Sequence, residues 1–228
     1  MRILEIIEPI EKLINVPVSW DISKLRSDIS KLPPKSGEGS TSKSYSTKDP
    51  NVYGKKSRIP VNLENDGFYQ YIQAVKSIMS VNPYVPEVYK ITLVKDKQGL
   101  TAFDYKMETL VRGQTLDKKT IYELGVKTFN NKNWFKALGN IESYQDLDNI
   151  ELWKILTKLI ELAIHAYPKK IPMTMFPIDV DQNLTDLAKI LRRIIISKNN
   201  LEIDLHDENI MVRPGKLELV INDPIDTY

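Results

Sequence analysis

The sequence predicts an α+β fold organised as two lobes. Three observations lead there. A β-branched and aromatic hairpin pattern fills residues 88–111. Helical periodicity runs from Leu116 to Asn199. The last twenty-eight residues then return to strand and turn. At 228 residues the chain is long enough for one large domain or two small lobes. Its 42% hydrophobic and 27% charged residues are those of a chain with a core to bury.

The elements follow in order. Ile3, Ile6, Ile7, Ile10, Leu13 and Ile14 recur at helical spacing between acids, so residues 1–30 read as a helical extension, with Pro9 as a kink. Residues 33–57 carry almost nothing to bury and read as a linker, or as a Gly-rich loop between two strands. Arg58–Leu63 fits a short strand, with Pro60 against a central place in a sheet. Asp66 is placed to cap a helix whose apolar side is Phe68, Tyr71, Ile72, Val75, Ile78 and Met79. Val88–Val94, a turn at 96–99 and Thr101–Val111 make a hairpin, which Gly113 ends. Two helices are clearest in the following stretch. Leu147–Ala166 has Ile150, Trp153, Leu156, Leu159, Ile160 and Ala163 inward, and Leu184–Ser197 has Leu184, Leu187, Ala188, Leu191 and Ile195 inward. Prolines 168, 172 and 177 mark the loop between them. Ile210–Arg213, a Pro214-Gly215 turn and Leu217–Ile221 make a final hairpin. The division expected is an extension over 1–30, a β-containing lobe over 31–112 and a mainly helical lobe over 113–228.

Composition excludes several functions. Lys plus Arg is 32 against 30 for Asp plus Glu, a net charge of +2, too small for a protein that coats nucleic acid. Cysteine is absent, which rules out disulfides, thiolate metal sites and a cysteine nucleophile, and fits a cytoplasmic setting. His165 and His206 are the only histidines, too few for a poly-histidine zinc site. No targeting segment and no apolar run of membrane-spanning length is expected.

One stretch carries chemistry. Asp204-Leu205-His206-Asp207-Glu208-Asn209 precedes a strand, and Asn222-Asp223-Pro224 follows that strand's hairpin partner. A hairpin brings its two open ends together, so Asp204, Asn209 and Asp223 can converge across twenty positions. Oxygen donors in one cleft suit Mg²⁺, which bridges phosphates during phosphoryl transfer. A carboxylate held off the metal can orient an attacking hydroxyl and accept its proton.

This run resembles the catalytic loop of the protein-kinase-like superfamily: an Asp, four residues, an Asn, a hairpin and a metal-binding Asp. The His two places after the Asp is similar to the aminoglycoside-phosphotransferase branch. The Met-Val-Arg continuation and terminal Asp-Pro resemble small kinase-like proteins of bacteriophages, which would place the chain in a host cytoplasm. The resemblance implies a reduced bilobal kinase-like fold, with ATP and Mg²⁺ as cofactors. It makes Asp204 the catalytic base, His206 the residue that structures the catalytic loop, and Asn209 and Asp223 the metal ligands. It puts Gly37, Gly39 and Ser40 in a loop over the phosphates and makes Arg58 the leading cation among Lys55, Lys56 and Arg58. It gives the backbone at Glu108 and Leu110 the adenine edge.

The departures are specific. The helix after residue 66 has no acid between Gly67 and Pro86 to pair with the phosphate-binding cation, only Gln70 and Gln73. Glu202 stands where a His often precedes the catalytic Asp. The chain ends five residues after Asp223, which implies a shortened second lobe without a peptide groove. The expected function is phosphoryl transfer from ATP to a hydroxyl of a protein or small molecule. The alternative is a pseudokinase-type module that engages a cellular or host protein without turnover.

Overall fold

The computed structural model describes residues 42–57, 62–95, 101–138, 141–166, 180–198 and 200–227. The expected N-terminal helix, Gly37, Gly39 and Ser40 of the phosphate loop, Arg58, the 96–99 turn and the proline loop lie outside these residues. The fold is α+β, with four α-helices among the described residues and three antiparallel sheets. The chain divides into two compact units. One takes in residues up to Asp66 together with Pro86–Thr109; the other takes in Gly67–Val85 and Leu110–Tyr228. Residues 67–85, expected in the first lobe, therefore cluster with the second unit, and the first unit closes at Thr109, not at Arg112.

The first unit is a four-stranded sheet, β1 (Ser42–Ser46), β2 (Val52–Ser57), β3 (Val88–Lys95) and β4 (Thr101–Glu108), in the order β1-β2-β4-β3. The predicted hairpin is β3–β4, with Leu93 opposite Phe103 and Ile91 opposite Tyr105. The described part of the predicted linker, 42–57, is a β-hairpin. Its Ser and Lys residues hide the pattern because the ladder and one aromatic ring, more than apolar burial, hold it. The buried Tyr45 ring lies across Gly54, where a Cβ would stand under 3.0 Å from the ring atoms. The Tyr45 hydroxyl donates to Asp104 Oδ1 at 2.6 Å and accepts from Lys106 Nζ. Buried Ser57 accepts the Phe103 N–H at 2.9 Å, which closes the end of β2 on β4. Burial alternates along β4: Phe103, Tyr105 and Met107 are buried, whereas Asp104 and Lys106 are half-buried on the opposite face.

The second unit contains α1 (Gly67–Val75), α2 (Lys118–Phe129), α3 (Asn149–Ala166) and α4 (Gln182–Ser197). Strands β5 (Val111–Arg112), β7 (Ile210–Val212) and β8 (Leu219–Ile221) form one sheet, and β6 (Leu201–Ile203) with β9 (Ile225–Thr227) forms another. α1 buries Phe68, Tyr71, Ile72 and Val75, as its spacing predicts. Asp117 caps α2 by accepting the Thr120 N–H at 2.9 Å, and Asn130 ends it in the left-handed region at φ 47°. Asp148 and Glu151 satisfy each other's backbone N–H at the start of α3.

The inward faces of the two long helices differ slightly from expectation. On α3 the buried stripe is Leu152, Trp153, Leu156, Leu159, Ile160 and Ile164, and Ile150 is exposed. On α4 Ile194 is buried in place of Ile195. Trp153, Leu156, Leu159 and Ile160 on α3 and Leu184, Leu187, Ala188 and Leu191 on α4 are buried as expected, and the differences are confined to the helix ends, where Ile164 and Ile194 each lie one residue from the predicted Ala163 and Ile195. Two glycines mark close aromatic packing: Gly113 faces the Trp153 ring and Gly125 the Trp134 ring, and both indoles are fully buried.

Candidate functional site

The final hairpin forms as its apolar residues require. Ile210, Val212, Leu219, Val220 and Ile221 are all buried, and β7 pairs with β8 from Ile210–Ile221 to Val212–Leu219. Gly215 at φ +70° occupies the turn position that needs a positive φ, and Lys216 N–H closes the turn on Arg213 O at 3.2 Å. The open ends of the hairpin then feed β6 and β9, two short strands that pattern reading misses because each is three residues long. They pair Leu201 with Thr227 and Ile203 with Ile225. The ladder continues one step further, as Asp204 N–H donates to Pro224 O at 2.9 Å. So Asp204 and the Asp223-Pro224 step lie side by side, and Asn222 N–H donates to Asn209 O at 2.8 Å. The backbone at Asp204, at Asn209 and at the Asn222–Pro224 step is thus brought together within the second unit.

The loop between them is bolted in place. Asn209 Nδ2 donates to Asp204 O at 2.9 Å and to Asp204 Oδ2 at 3.3 Å. With the amide nitrogen engaged there, Asn209 Oδ1 points away from Asp204 as an oxygen donor. His206 Nδ1 accepts the Glu208 N–H at 3.2 Å, which leaves the neutral ring's hydrogen on Nε2, and Nε2 stands 3.5 Å from Asp204 Oδ2. His206 O accepts the Asn209 N–H at 3.0 Å. His206 thus contacts both the backbone and the carboxylate of the loop. Trp153 Nε1 holds Asp207 O at 3.3 Å, and Arg112 Nη1 reaches Glu208 Oε1 at 3.4 Å from β5. The Asp204 and His206 side chains remain 41% and 44% exposed, so the carboxylate is supported from behind and open in front.

The segment carrying Asp223 is held by α1 and the chain that follows it. Tyr71, fully buried, donates its hydroxyl to Ile221 O at 2.7 Å, and Ile221 N–H donates to Tyr84 O at 2.8 Å. Burial, and secondarily the Asp223 charge, hold the Tyr71 phenol well above its ordinary range, so it stays a donor. Arg213, buried, pairs with Glu218 at 2.6 Å and donates to Pro83 O at 3.3 Å and Val85 O at 3.2 Å. Nothing in the sequence pattern points to Tyr71, because its partner is 150 residues away.

The donor set fits a magnesium ion brought in with a nucleotide. It is all oxygen, one amide and one or two carboxylates, which leaves phosphate and water to complete the shell. Among the described residues no three His, Asp or Glu side chains gather as a metal site complete in itself. The remaining predicted residues fall elsewhere. Glu108 is buried in the first unit, where its N–H donates to Glu87 O at 3.0 Å and its carboxylate accepts the Glu87 N–H at 2.9 Å. Leu110, buried, opens the later of the second unit's two segments. On β2, Lys56 faces Asp104 at 3.9 Å, while Lys55 stands opposite Tyr105, on the face that also carries Phe103 and Met107. A half-buried lysine on the apolar face of a sheet is a stronger functional candidate than sequence order alone suggests.

No helix among the described residues is long and apolar enough to cross a membrane. Compared with family models, curated proteins and solved structures, the chain matches none of them.

Proposed function

We propose that the second unit carries the catalytic centre of an ATP- and Mg²⁺-dependent phosphotransferase acting on a hydroxyl of a protein or small molecule. The observation that supports this most is the Asn209 amide. Its nitrogen engages both the Asp204 carbonyl and the Asp204 carboxylate, so its oxygen is presented on the opposite side. That arrangement separates two tasks within one loop. Asp204 orients the acceptor hydroxyl and takes its proton as the oxygen–phosphorus bond forms and the bond to the leaving ADP breaks. Asn209 Oδ1 and the Asp223 carboxylate would hold the metal. Mg²⁺, when bound, offsets the charge on the phosphates. His206 steadies Asp204 from behind, and Trp153 and Arg112 fix the loop's outer side.

The test is transfer from γ-labelled ATP with Mg²⁺ over a panel of alcohol, sugar, aminoglycoside and protein acceptors. Asp204→Asn should lower the rate about 10²–10⁴-fold, and Asp223→Asn should raise the Mg²⁺ concentration needed. Equal, near-zero transfer by the wild type and both variants would end the enzyme reading. A second reading, a noncatalytic binding module, is favoured by the absence of any acid on α1 to pair with a phosphate-binding lysine. It predicts nucleotide or partner binding with no transfer.

A further inference from the structure

We infer that Tyr71 is a positioning residue that sets the metal-binding carboxylate of Asp223 from α1. The inference rests on the phosphotransferase reading and goes beyond it, because no part of that reading assigns Tyr71 a role.

Asp223 lies between two fixed points on the same helix. On one side, the Tyr71 hydroxyl takes the Ile221 carbonyl at 2.7 Å. On the other, Gly67 packs so closely against Ile225 that a Cβ would fall under 3.0 Å from its carbonyl oxygen. Tyr71 is one helical turn from Gly67, so both points lie on one face of α1. The backbone between them is pinned again by Ile221 N–H on Tyr84 O and Asn222 N–H on Asn209 O, each at 2.8 Å. Ile221 thus has both backbone groups engaged by the 67–85 segment.

A phenol at position 71 does what Phe cannot. Ile221 is fully buried, and without the hydroxyl its carbonyl at the end of β8 loses its side-chain partner. The strand end would then shift or draw in water, and the displacement would pass along two residues to Asp223. Groups behind a metal ligand commonly change metal affinity about 10–100-fold when removed.

The test is Mn²⁺ binding to the full chain, followed by electron paramagnetic resonance, in the presence of the β,γ-imido analogue of ATP. Tyr71→Phe should weaken Mn²⁺ about 10–100-fold while leaving metal-free binding of the analogue unchanged. Gly67→Ala, which presses on the segment from its other end, should weaken Mn²⁺ in the same direction. Ile194→Val on α4 removes one buried methyl from the same unit and should leave Mn²⁺ affinity as it was, which separates positioning from general loss of stability. Wild-type affinity in Tyr71→Phe, with Asp223→Asn impaired, overturns the role of Tyr71 and leaves the metal site standing. Equal weakening by Ile194→Val overturns it as well. If wild type and Asp223→Asn bind Mn²⁺ alike, the metal site itself is refuted, and the inference with it.

Discussion

Gly113→Ala tests how the Asp204–Asn209 loop is supported, without presuming any reaction. Gly113 is buried, and a Cβ there would stand under 3.0 Å from Cη2, Cζ3 and Cε3 of Trp153. Those atoms belong to the six-membered ring of a fully buried indole, whose Nε1 holds the Asp207 carbonyl at 3.3 Å. A ring in a packed core cannot swing aside as a flexible chain end can. Overpacking of this kind costs about 1–3 kcal/mol, and loss of the indole–carbonyl bond adds about 0.5–1.5 kcal/mol. Together they give roughly 2–4 kcal/mol, or a melting point lower by about 5–15 °C for a protein of this size. Urea denaturation followed by circular dichroism measures the loss. The same variant in a Trp153→Phe background decides its cause, because Phe lacks the ring that collides. The cost should fall there by about 0.5 kcal/mol or more. Full additivity, or a Gly113→Ala variant as stable as the wild type with unchanged tryptophan fluorescence, would refute the packing argument.

Asn209→Asp should turn the amide's bond to the Asp204 carboxylate into a repulsion by setting a second carboxylate against it. One of the pair is then held protonated well above the ordinary carboxylate range, so the variant should be less stable than Asn209→Ala at pH 7.5 and recover as the pH falls, read by urea titration at several pH values. Burial raises the phenols of Tyr71 and Tyr84 far above 10, with the charges of Asp223 and Asp181 adding to it. The unfolded chain releases those protons first, so stability should fall as the pH rises past about 10, and Tyr71→Phe with Tyr84→Phe should flatten that fall in thermal melts. Asp104 is raised too, by burial, although Lys56 and Lys90 draw it back. The native state therefore keeps that proton longer, and stability relative to Asp104→Asn should decline as the pH rises through the window just above the usual Asp value; a difference that grows with pH would contradict this.

Legibility followed the range of the interactions. The Asp204–Asn209 loop and the Pro214-Gly215 turn can be read because their partners lie within a few residues, and chemistry or φ alone dictates the residue types. The β3–β4 hairpin can be read because β-branched and aromatic residues alternate across one turn. Strands β1 and β2 cannot, since Lys and Ser fill them and their stability comes from Tyr45 lying over Gly54 and bonding to Asp104, fifty-nine residues on. Pairing of β6 with β9 escapes notice for a different reason: neither strand is long enough to show a period. On α3 the exposed Ile150 misleads, because an apolar side chain at a helix start says nothing about which way the helix is turned. Lys55 and Lys56 are adjacent and chemically alike, and only the register with β4 puts one with Tyr105 and the other with Asp104.

The site's geometry also separates its two halves. Asp204 is positioned by near neighbours, the Asn209 amide, the His206 ring and the Pro224 carbonyl. Asp223 is positioned from a distance, through the contacts that its neighbours Ile221 and Ile225 make with Tyr71 and Gly67 of α1. Perturbations on the two routes should therefore differ in kind. His206→Ala loosens the loop around Asp204 and should lower kcat and alter the pH–rate profile while the Mg²⁺ requirement holds. Tyr71→Phe should do the reverse, raising the Mg²⁺ requirement while the pH–rate profile of the saturated enzyme keeps its shape. The two routes meet only where Asn222 bonds to Asn209 and Asp204 to Pro224. If the route through α1 and the route through the loop are physically distinct, the double variant should show additive losses in the rate at fixed, subsaturating Mg²⁺. A large coupling would mean that the whole hairpin end moves as one body, and that Asp204 and Asp223 are not independently placed.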